Sequence, residues 1–266
     1  MKQLNIGTYY PVATYLHILD ARVKVVATTM VTILLFFTSS FWAYGLLACF
    51  LATLILTAKL PLRLLRTLSS LRYILIFTLF FSVFMTPGEQ VLFGWSWLYA
   101  TREGLMAGII LIIRVTLMIF VTTILTLTTT PFELTSAFEF LLSPLQKLRF
   151  PVAEGALMIN LALRFIPTIM EENQRIMNSQ KARGVSFEAE GLMGKVRSII
   201  PVLIPLILSS FKRAEDLALA MEARNFKIGG KRTSYRMMRM TSKDYKILLV
   251  MLLFFLCMIG FEIMVN

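Results

Sequence analysis

Five long apolar stretches divide the chain and predict helices that cross a lipid bilayer. They run from Val25 to Phe37, from Phe41 to Thr57, from Tyr73 to Met85, from Gly104 to Leu127 and from Ile247 to Val265. The third is shorter than the roughly 20 residues that a crossing requires, so we expect its helix to extend back over Leu64 to Leu71. The pattern predicts an all-α polytopic membrane protein with about five transmembrane helices.

The region between the fourth and fifth stretches has a mixed apolar and polar pattern. Val152 to Met170 and Ile199 to Phe211 are apolar, but the first of them contains Arg164 and Pro167. Arg164 at the bilayer centre would cost about 2.5 to 3.5 kcal/mol. If both segments crossed, the basic residues between them would lie outside, against the positive-inside rule. Residues 131–245 are therefore expected to form a cytoplasmic-side module of long helices, between transmembrane residues 1–130 and 246–266.

Composition and charge agree with a multi-pass protein of the cell membrane. Hydrophobic residues make up 57% of the 266 residues and charged residues 16%, which is too apolar for a soluble domain of this size. The 27 Lys and Arg against 15 Asp and Glu fit basic cytoplasmic loops that face anionic lipid, so no nucleic-acid partner is predicted. Basic residues around Arg22, from Lys59 to Arg72 and at Lys243 place the N terminus in the cytoplasm and the C terminus outside.

The sequence lacks the residues that an enzyme or a self-contained pump would need. It has no Gly-x-x-x-x-Gly-Lys-Ser/Thr phosphate loop, a single histidine (His17) and no acidic pair inside an apolar stretch, so no cofactor, metal or catalytic residue is predicted. Arg114 is the one deep charge, and we expect helix-end carbonyls or a neighbouring helix to neutralise it. A secondary transporter or channel remains the alternative, and an intramembrane enzyme a more distant one.

Two matching helix ends are the most distinctive feature of the predicted module. The first is Ala182-Arg183-Gly184 and the second, 41 residues later, is Ala223-Arg224-Asn225. Gly and Asn favour the left-handed turn that closes a helix, and arginine can bind carboxylates or rows of carbonyls. The helix dipole alone would favour such an arginine by about 0.3 to 1 kcal/mol. Because two ends share the same design, we interpret them as docking tips for another protein.

The helix before the second tip carries an apolar stripe along one face. Its members follow the helical spacing i, i+4, i+7, i+11 and i+14: Ile207, Phe211, Ala214, Ala218 and Met221. We expect this stripe to contact a neighbouring protein or helix.

These residues resemble motifs of the EcfT family, the transmembrane coupling subunit of energy-coupling factor (ECF) transporters. The resemblance covers nearly the whole chain, and its specificity lies in the order and spacing of several short motifs. They are His17-Ile18-Leu19-Asp20-Ala21-Arg22-Val23-Lys24, with Ala21 where the family usually has Pro; Thr129-Thr130-Pro131; Arg164-Phe165-Ile166-Pro167; the two tips, of which the second has Asn225 where the family has Gly; and Asp244-Tyr245.

The resemblance implies a non-catalytic scaffold in a complex of four proteins. Two cytosolic ABC-type ATPases, expected to be a heterodimer, would each hold one tip of the coupling module, residues 131–245. A membrane-embedded S-component would bind the vitamin or micronutrient and rest on the apolar stripe. Asp20, Arg22, Arg114, Arg164 and Pro167 are expected to have structural roles.

Overall fold

The computed structural model describes residues 14–57, 63–86, 91–95, 98–185, 187, 191–227 and 240–265. Residues 59–62 of the basic stretch and residues 1–13 thus lie outside the described residues. The helices follow in the order α1 (Tyr15–Ile18), α2 (Ala21–Phe37), α3 (Phe41–Thr57), α4 (Arg63–Met85), α5 (Arg102–Thr128), α6 (Pro131–Leu142), a 3-10 helix (Ser143–Leu148), α7 (Val152–Ala182), α8 (Leu192–Ala223) and α9 (Ser242–Val265). All five predicted apolar stretches form helices, and the third extends back as expected.

An apolar core forms where α2, α3, α5 and α9 meet. Leu35 of α2, Tyr44 and Leu47 of α3, Val121 of α5 and Met258 of α9 are all buried there. The outer faces of the same helices carry large exposed apolar side chains, as lipid-facing surfaces do. The predicted fold class, a helical membrane protein, is confirmed.

The turn between α2 and α3 is fixed by charges from two distant helices. Arg114 of α5 donates from Nη2 to the carbonyl oxygen of Thr38 (2.9 Å), at the end of α2. Glu262 of α9 accepts at Oε1 from the backbone N–H groups of Ser39 (2.6 Å) and Ser40 (2.9 Å), at the start of α3. A cation at a helix C terminus and an anion at an N terminus match both helix dipoles.

A short hairpin, which the all-α prediction omits, connects α4 to α5. Strand β1 (Val91–Trp95) pairs antiparallel with β2 (Leu98–Thr101), and the Thr101 side chain caps α5 by accepting from the N–H of Gly104 (3.1 Å). A Cβ at Gly104 would lie 2.8 Å from the carbonyl oxygen of Ser82 in α4. The missing side chain therefore allows α4 and α5 to approach closely.

α6, the first helix of residues 131–245, packs against the start of α2. α6 begins with a capping box, in which Thr130 and Glu133 bond to each other's backbone N–H groups, and has Pro131 in its first turn. Ala137 of α6 is fully buried against Ala21 and Val25 of α2. α6 therefore shares a small apolar core with the start of α2.

α7 and α8 are the two longest helices, and they pack against each other. They contain 31 and 32 residues, which corresponds to roughly 46 and 48 Å. Pro167 lies inside α7, and Pro201 and Pro205 lie inside α8. Each proline removes one backbone hydrogen bond of its helix.

Three described helices are long and apolar enough to cross a membrane: α5, α7 and α9. α3 and the part of α4 from Leu71 to Met85 are apolar but shorter, and α2 has 17 residues. The sequence places α7 on the cytoplasmic side because of Arg164 and the positive-inside rule, although its length and composition would also fit a crossing. The cytoplasmic placement of α7, the count of five crossings and the domain boundaries stay predictions.

Candidate docking site at two helix ends

The first tip ends α7 in a left-handed turn. Arg183 is the C-cap residue, and Gly184 follows with φ +86°. The N–H of Gly184 donates to the carbonyl of Lys181 (3.0 Å), and the N–H of Val185 donates to that of Gln180 (3.1 Å). These two bonds define a Schellman motif, which satisfies carbonyls at the helix end and directs the chain away from the helix axis.

The second tip has the same backbone design at the end of α8. Arg224 is the C-cap residue, and Asn225 has φ +55°. The N–H of Asn225 donates to the carbonyl of Glu222 (2.8 Å), and the N–H of Phe226 donates to that of Met221 (3.0 Å). The left-handed turn predicted for Gly184 and Asn225 is confirmed at both ends, so Asn replaces Gly without changing the motif.

Both tips are open to solvent. All six residues of the two tips are exposed, and no atom would crowd a Cβ added at Gly184. Within the described residues the ion pairs are Arg22 with Asp20 and Arg213 with Glu172, so neither Arg183 nor Arg224 is paired with a carboxylate of its own chain there. The two guanidinium groups are available to an acidic partner.

An ion pair between α7 and α8 lies the same number of residues before each tip. Arg213 Nη2 donates to Glu172 Oε2 at 2.9 Å, and the two side chains are 34% and 24% exposed. Glu172 lies 11 residues before Arg183 (183 − 172), and Arg213 lies 11 residues before Arg224 (224 − 213). Each tip therefore extends roughly 16 Å beyond this contact. The two helices therefore extend equally far beyond this ion pair.

The predicted apolar stripe of α8 is largely uncovered. Ile207 is 50% and Phe211 72% exposed, and Ala214 and Ala218 are exposed as well, whereas Met221 is only partly exposed. Arg213, which bonds to α7, is less exposed than the neighbouring Ala214. The stripe thus leaves a large apolar surface on α8.

The structure gives partners to three of the five residues expected to have structural roles. Arg114 donates from Nε to the hydroxyl of Tyr44 (2.9 Å) in addition to its bond to Thr38, so one of its acceptors is a helix-end carbonyl. Asp20 caps α2 by accepting from the N–H of Arg22 (2.9 Å). The Arg22 guanidinium lies 3.8 Å from the centre of the Phe140 ring in α6.

The other two residues with expected structural roles lie on the surface of α7. Arg164 and Pro167 are both exposed, so burial gives no support to their roles, which stay predictions. Three further residues were assigned no structural role from the sequence: Lys24 and Asp244, which were named only within family motifs, and Glu262. All three are buried charged side chains. Their signal was present, since each is a charge next to or inside an apolar stretch, where an unpaired charge would be costly.

The described residues contain no group of three or more His, Cys, Asp or Glu side chains that could hold a metal ion. Cys49 and Cys257 are free thiols on the outer faces of α3 and α9. The arginines of the tips can form ionic and hydrogen-bonded contacts with a carboxylate or with backbone carbonyls.

The fold and the two tips define a class of protein: a helical membrane protein whose two long helices, α7 and α8, end in exposed arginines and left-handed turns. The CbiQ family, described as cobalt transport protein, matches residues 13–235. Similar proteins named energy-coupling factor transporter transmembrane protein EcfT occur in Streptococcus equi subsp. equi (42% identical over 255 residues, 95% of each chain) and Bacillus subtilis (40% over 262 residues, 96% of this chain and 99% of the relative). A third, from Listeria innocua, is 40% identical over 245 residues, 92% of each chain.

The chain therefore belongs to the CbiQ/EcfT family of membrane transport proteins, which confirms the resemblance found in its motifs. As a member it is a transmembrane component of an energy-coupling factor transporter, resident in the membrane.

Proposed function

We propose that this chain couples ATP hydrolysis by two cytosolic ATPase subunits to movement of a separate, substrate-binding S-component in the membrane. The observation that supports this proposal most strongly is the pair of matching tips. Two exposed arginines, Arg183 and Arg224, close two helices with the same backbone motif. A heterodimer of two ATPases offers two similar sockets, one for each tip.

The chemistry of the tips suits docking into an acidic groove. The Schellman turn directs the chain away after the arginine, so the helix end can enter a socket. Ala182 and Ala223, directly before the arginines, allow a close approach of the partner. The planar guanidinium can bind a carboxylate through two parallel hydrogen bonds.

The uncovered stripe on α8 supports a second partner, the S-component. Ile207, Phe211, Ala214 and Ala218 are exposed in the isolated chain, and an apolar surface of this kind favours contact with another apolar protein surface. The S-component would carry the vitamin or micronutrient, and this chain would not contact the substrate. In this arrangement the N terminus and the tips face the cytoplasm, and the C terminus faces outside.

The contact between α7 and α8 gives the tips a way to act together. When ATP binding closes the ATPase pair, the two tips move relative to each other. Because both helices extend equally from the Glu172–Arg213 contact, that movement changes the angle between the helices. A change of this kind requires the partners to bind the two states with different free energies, and the tips and the stripe provide those contacts.

The direct test reverses the charge of both tips, with Arg183→Glu and Arg224→Glu in one protein. We expect the ATPases to be lost on purification of the chain from native membranes, and substrate uptake to be lost with them. The matched control reverses two exposed charges away from the tips, Arg197→Glu and Lys243→Glu, and should retain the ATPases. Unchanged co-purification and uptake in the tip variant would refute the docking role, and transport by the chain alone in liposomes would support a channel or secondary transporter instead.

A further inference from the structure

The membrane bundle is connected to the coupling module by a joint of two residues, Thr129 and Thr130. α5 ends at Thr128 and α6 begins at Pro131. Both joint residues have extended backbones, and Thr129 is only 1% exposed. Every rotation of α6 relative to α5 therefore takes place at these two residues.

The side chain of Lys24 reaches this joint from α2. Its Nζ donates to the carbonyl oxygen of Thr128 (2.9 Å) and to that of His17 (3.3 Å), and the residue is 7% exposed. The Thr128 carbonyl belongs to the last turn of α5, where carbonyls lack partners within the helix. A cation placed there both satisfies the carbonyl and matches the helix dipole.

A buried lysine bonded to carbonyls is an uncommon arrangement, since buried lysines are normally paired with acids. Neither ion pair of the described residues includes Lys24. The carboxylates of Asp20, Glu133 and Asp244 act on it only through longer-range attraction. The hydrogen bonds of the Lys24 ammonium group are thus made to the carbonyls of Thr128 and His17.

The same turn of α2 is also bonded to α9. The N–H of Asp20 donates to Oδ1 of Asp244 (3.2 Å), and Oδ2 of Asp244 caps α9 by accepting from the N–H of Thr241 (2.7 Å). The start of α2 thus connects the start of α9 with the end of α5. If the joint moves and Lys24 moves with it, the movement is passed on to α2 and to α9.

A cavity of about 70 Å³ adjoins this contact, and it is lined by Lys24, Thr128 and apolar residues that include Leu125 and Met251. The space exceeds the volume that one water molecule requires. Packing therefore leaves space beside this contact, and the hydrogen bond itself holds Lys24 to the Thr128 carbonyl.

We propose that Lys24 is a positioning residue for energy coupling: by bonding the last carbonyl of α5 beside the α5–α6 joint, it makes the membrane bundle follow the movements of the coupling module. This inference rests on the proposed function. Without the bond, ATP would still be hydrolysed and the tips would still move, but the joint would absorb the movement.

The test compares Lys24→Met with Lys24→Arg and with Lys243→Met, a control that removes an exposed lysine near the start of α9. Each complex, purified with its ATPases and S-component, is reconstituted into liposomes, and substrate uptake is measured per ATP hydrolysed. We expect Lys24→Met to hydrolyse ATP normally but to lower this ratio by about tenfold, which corresponds to the loss of one charge-assisted hydrogen bond. Lys24→Arg should restore most of the ratio, and Lys243→Met should leave it unchanged.

If Lys24→Met transports as much substrate per ATP hydrolysed as the unmodified chain, the inference is wrong. The proposed function would still stand in that case, because the ATPases would still co-purify with the chain. Loss of the protein from the membrane, or equal loss of ATP hydrolysis and uptake, would also overturn it, because the lysine would then serve folding or assembly. Failure of the proposed function would give a different result, because the unmodified chain itself would then purify without ATPases.

Discussion

At the scale of single residues, the two tips differ in only one place that matters for their backbone. Gly184 and Asn225 occupy the same left-handed position, at φ +86° and +55°. Glycine adopts this conformation without a steric penalty, and asparagine tolerates it. For other residues the left-handed conformation costs roughly 1 to 2 kcal/mol of conformational free energy. The second tip therefore keeps the motif at a modest cost in stability.

This difference predicts an order of local stability among variants of the tips. Gly184→Ala should make the last turn of α7 open about fivefold more often, since roughly 1 kcal/mol corresponds to that factor. Asn225→Gly should leave the last turn of α8 closed. Hydrogen exchange of the Val185 and Phe226 amides, which donate the longer bond of each motif, measures this opening. Equal protection of Val185 in the Gly184→Ala variant and the unmodified chain would contradict the prediction.

Residue chemistry also explains which roles sequence reasoning could and could not find. An acceptor for Arg114 within the protein could be expected from the sequence, because a lone cation deep in an apolar helix requires one. Its actual acceptors, the Thr38 carbonyl and the Tyr44 hydroxyl, lie about 70 positions away, at a distance that no local pattern encodes. The roles of Glu262 and Lys24 were not predicted for the same reason, since Glu262 accepts from Ser39 and Ser40 and Lys24 donates to Thr128, all distant in sequence.

At the scale of elements, helix bounds follow from local patterns, whereas helix contacts do not. The five apolar stretches and the two tips were predictable from hydrophobic runs and from the Arg-Gly and Arg-Asn endings. The β1–β2 hairpin was missed because the segment between α4 and α5 is short and lacks a two-residue turn signature. The contact of α7 with α8 at Glu172 and Arg213 was missed because both helices present many charged residues, and spacing alone does not select one pair.

The contact between Glu172 and Arg213 predicts a specific pattern of compensation. Arg213→Glu would place two carboxylates at the contact and lower the stability of the α7–α8 pair. The exchange Glu172→Arg with Arg213→Glu would restore it. Because the pair is partly exposed, we expect a coupling energy of about 0.2 to 1 kcal/mol in a double-mutant cycle of thermal unfolding in detergent. Additive effects of the two single changes would show that the ion pair does not stabilise the contact.

At the scale of the whole molecule, the chain combines a bundle rich in buried apolar contacts with a module that has very few. Leu35, Tyr44 and Leu47 are buried completely or nearly so in the bundle, whereas Ala156 is the buried residue of α7. The described part of this region leaves large apolar side chains of α8 exposed, among them Phe211, and under the proposed function the partner subunits would cover them. This contrast fits a scaffold that becomes complete only within its transporter complex.

The central claim is that ATPase subunits bind both tips, and cross-linking in the intact membrane tests it most directly. A photoreactive amino acid is introduced at Ala182 or at Ala223, which leaves both arginines in place, and at the exposed Leu256 of α9 as a lipid-facing control. We predict covalent adducts with nucleotide-binding ATPase subunits from both tip positions and none from Leu256. Adducts from the tips with membrane proteins alone, or no adduct at either tip, would contradict the account.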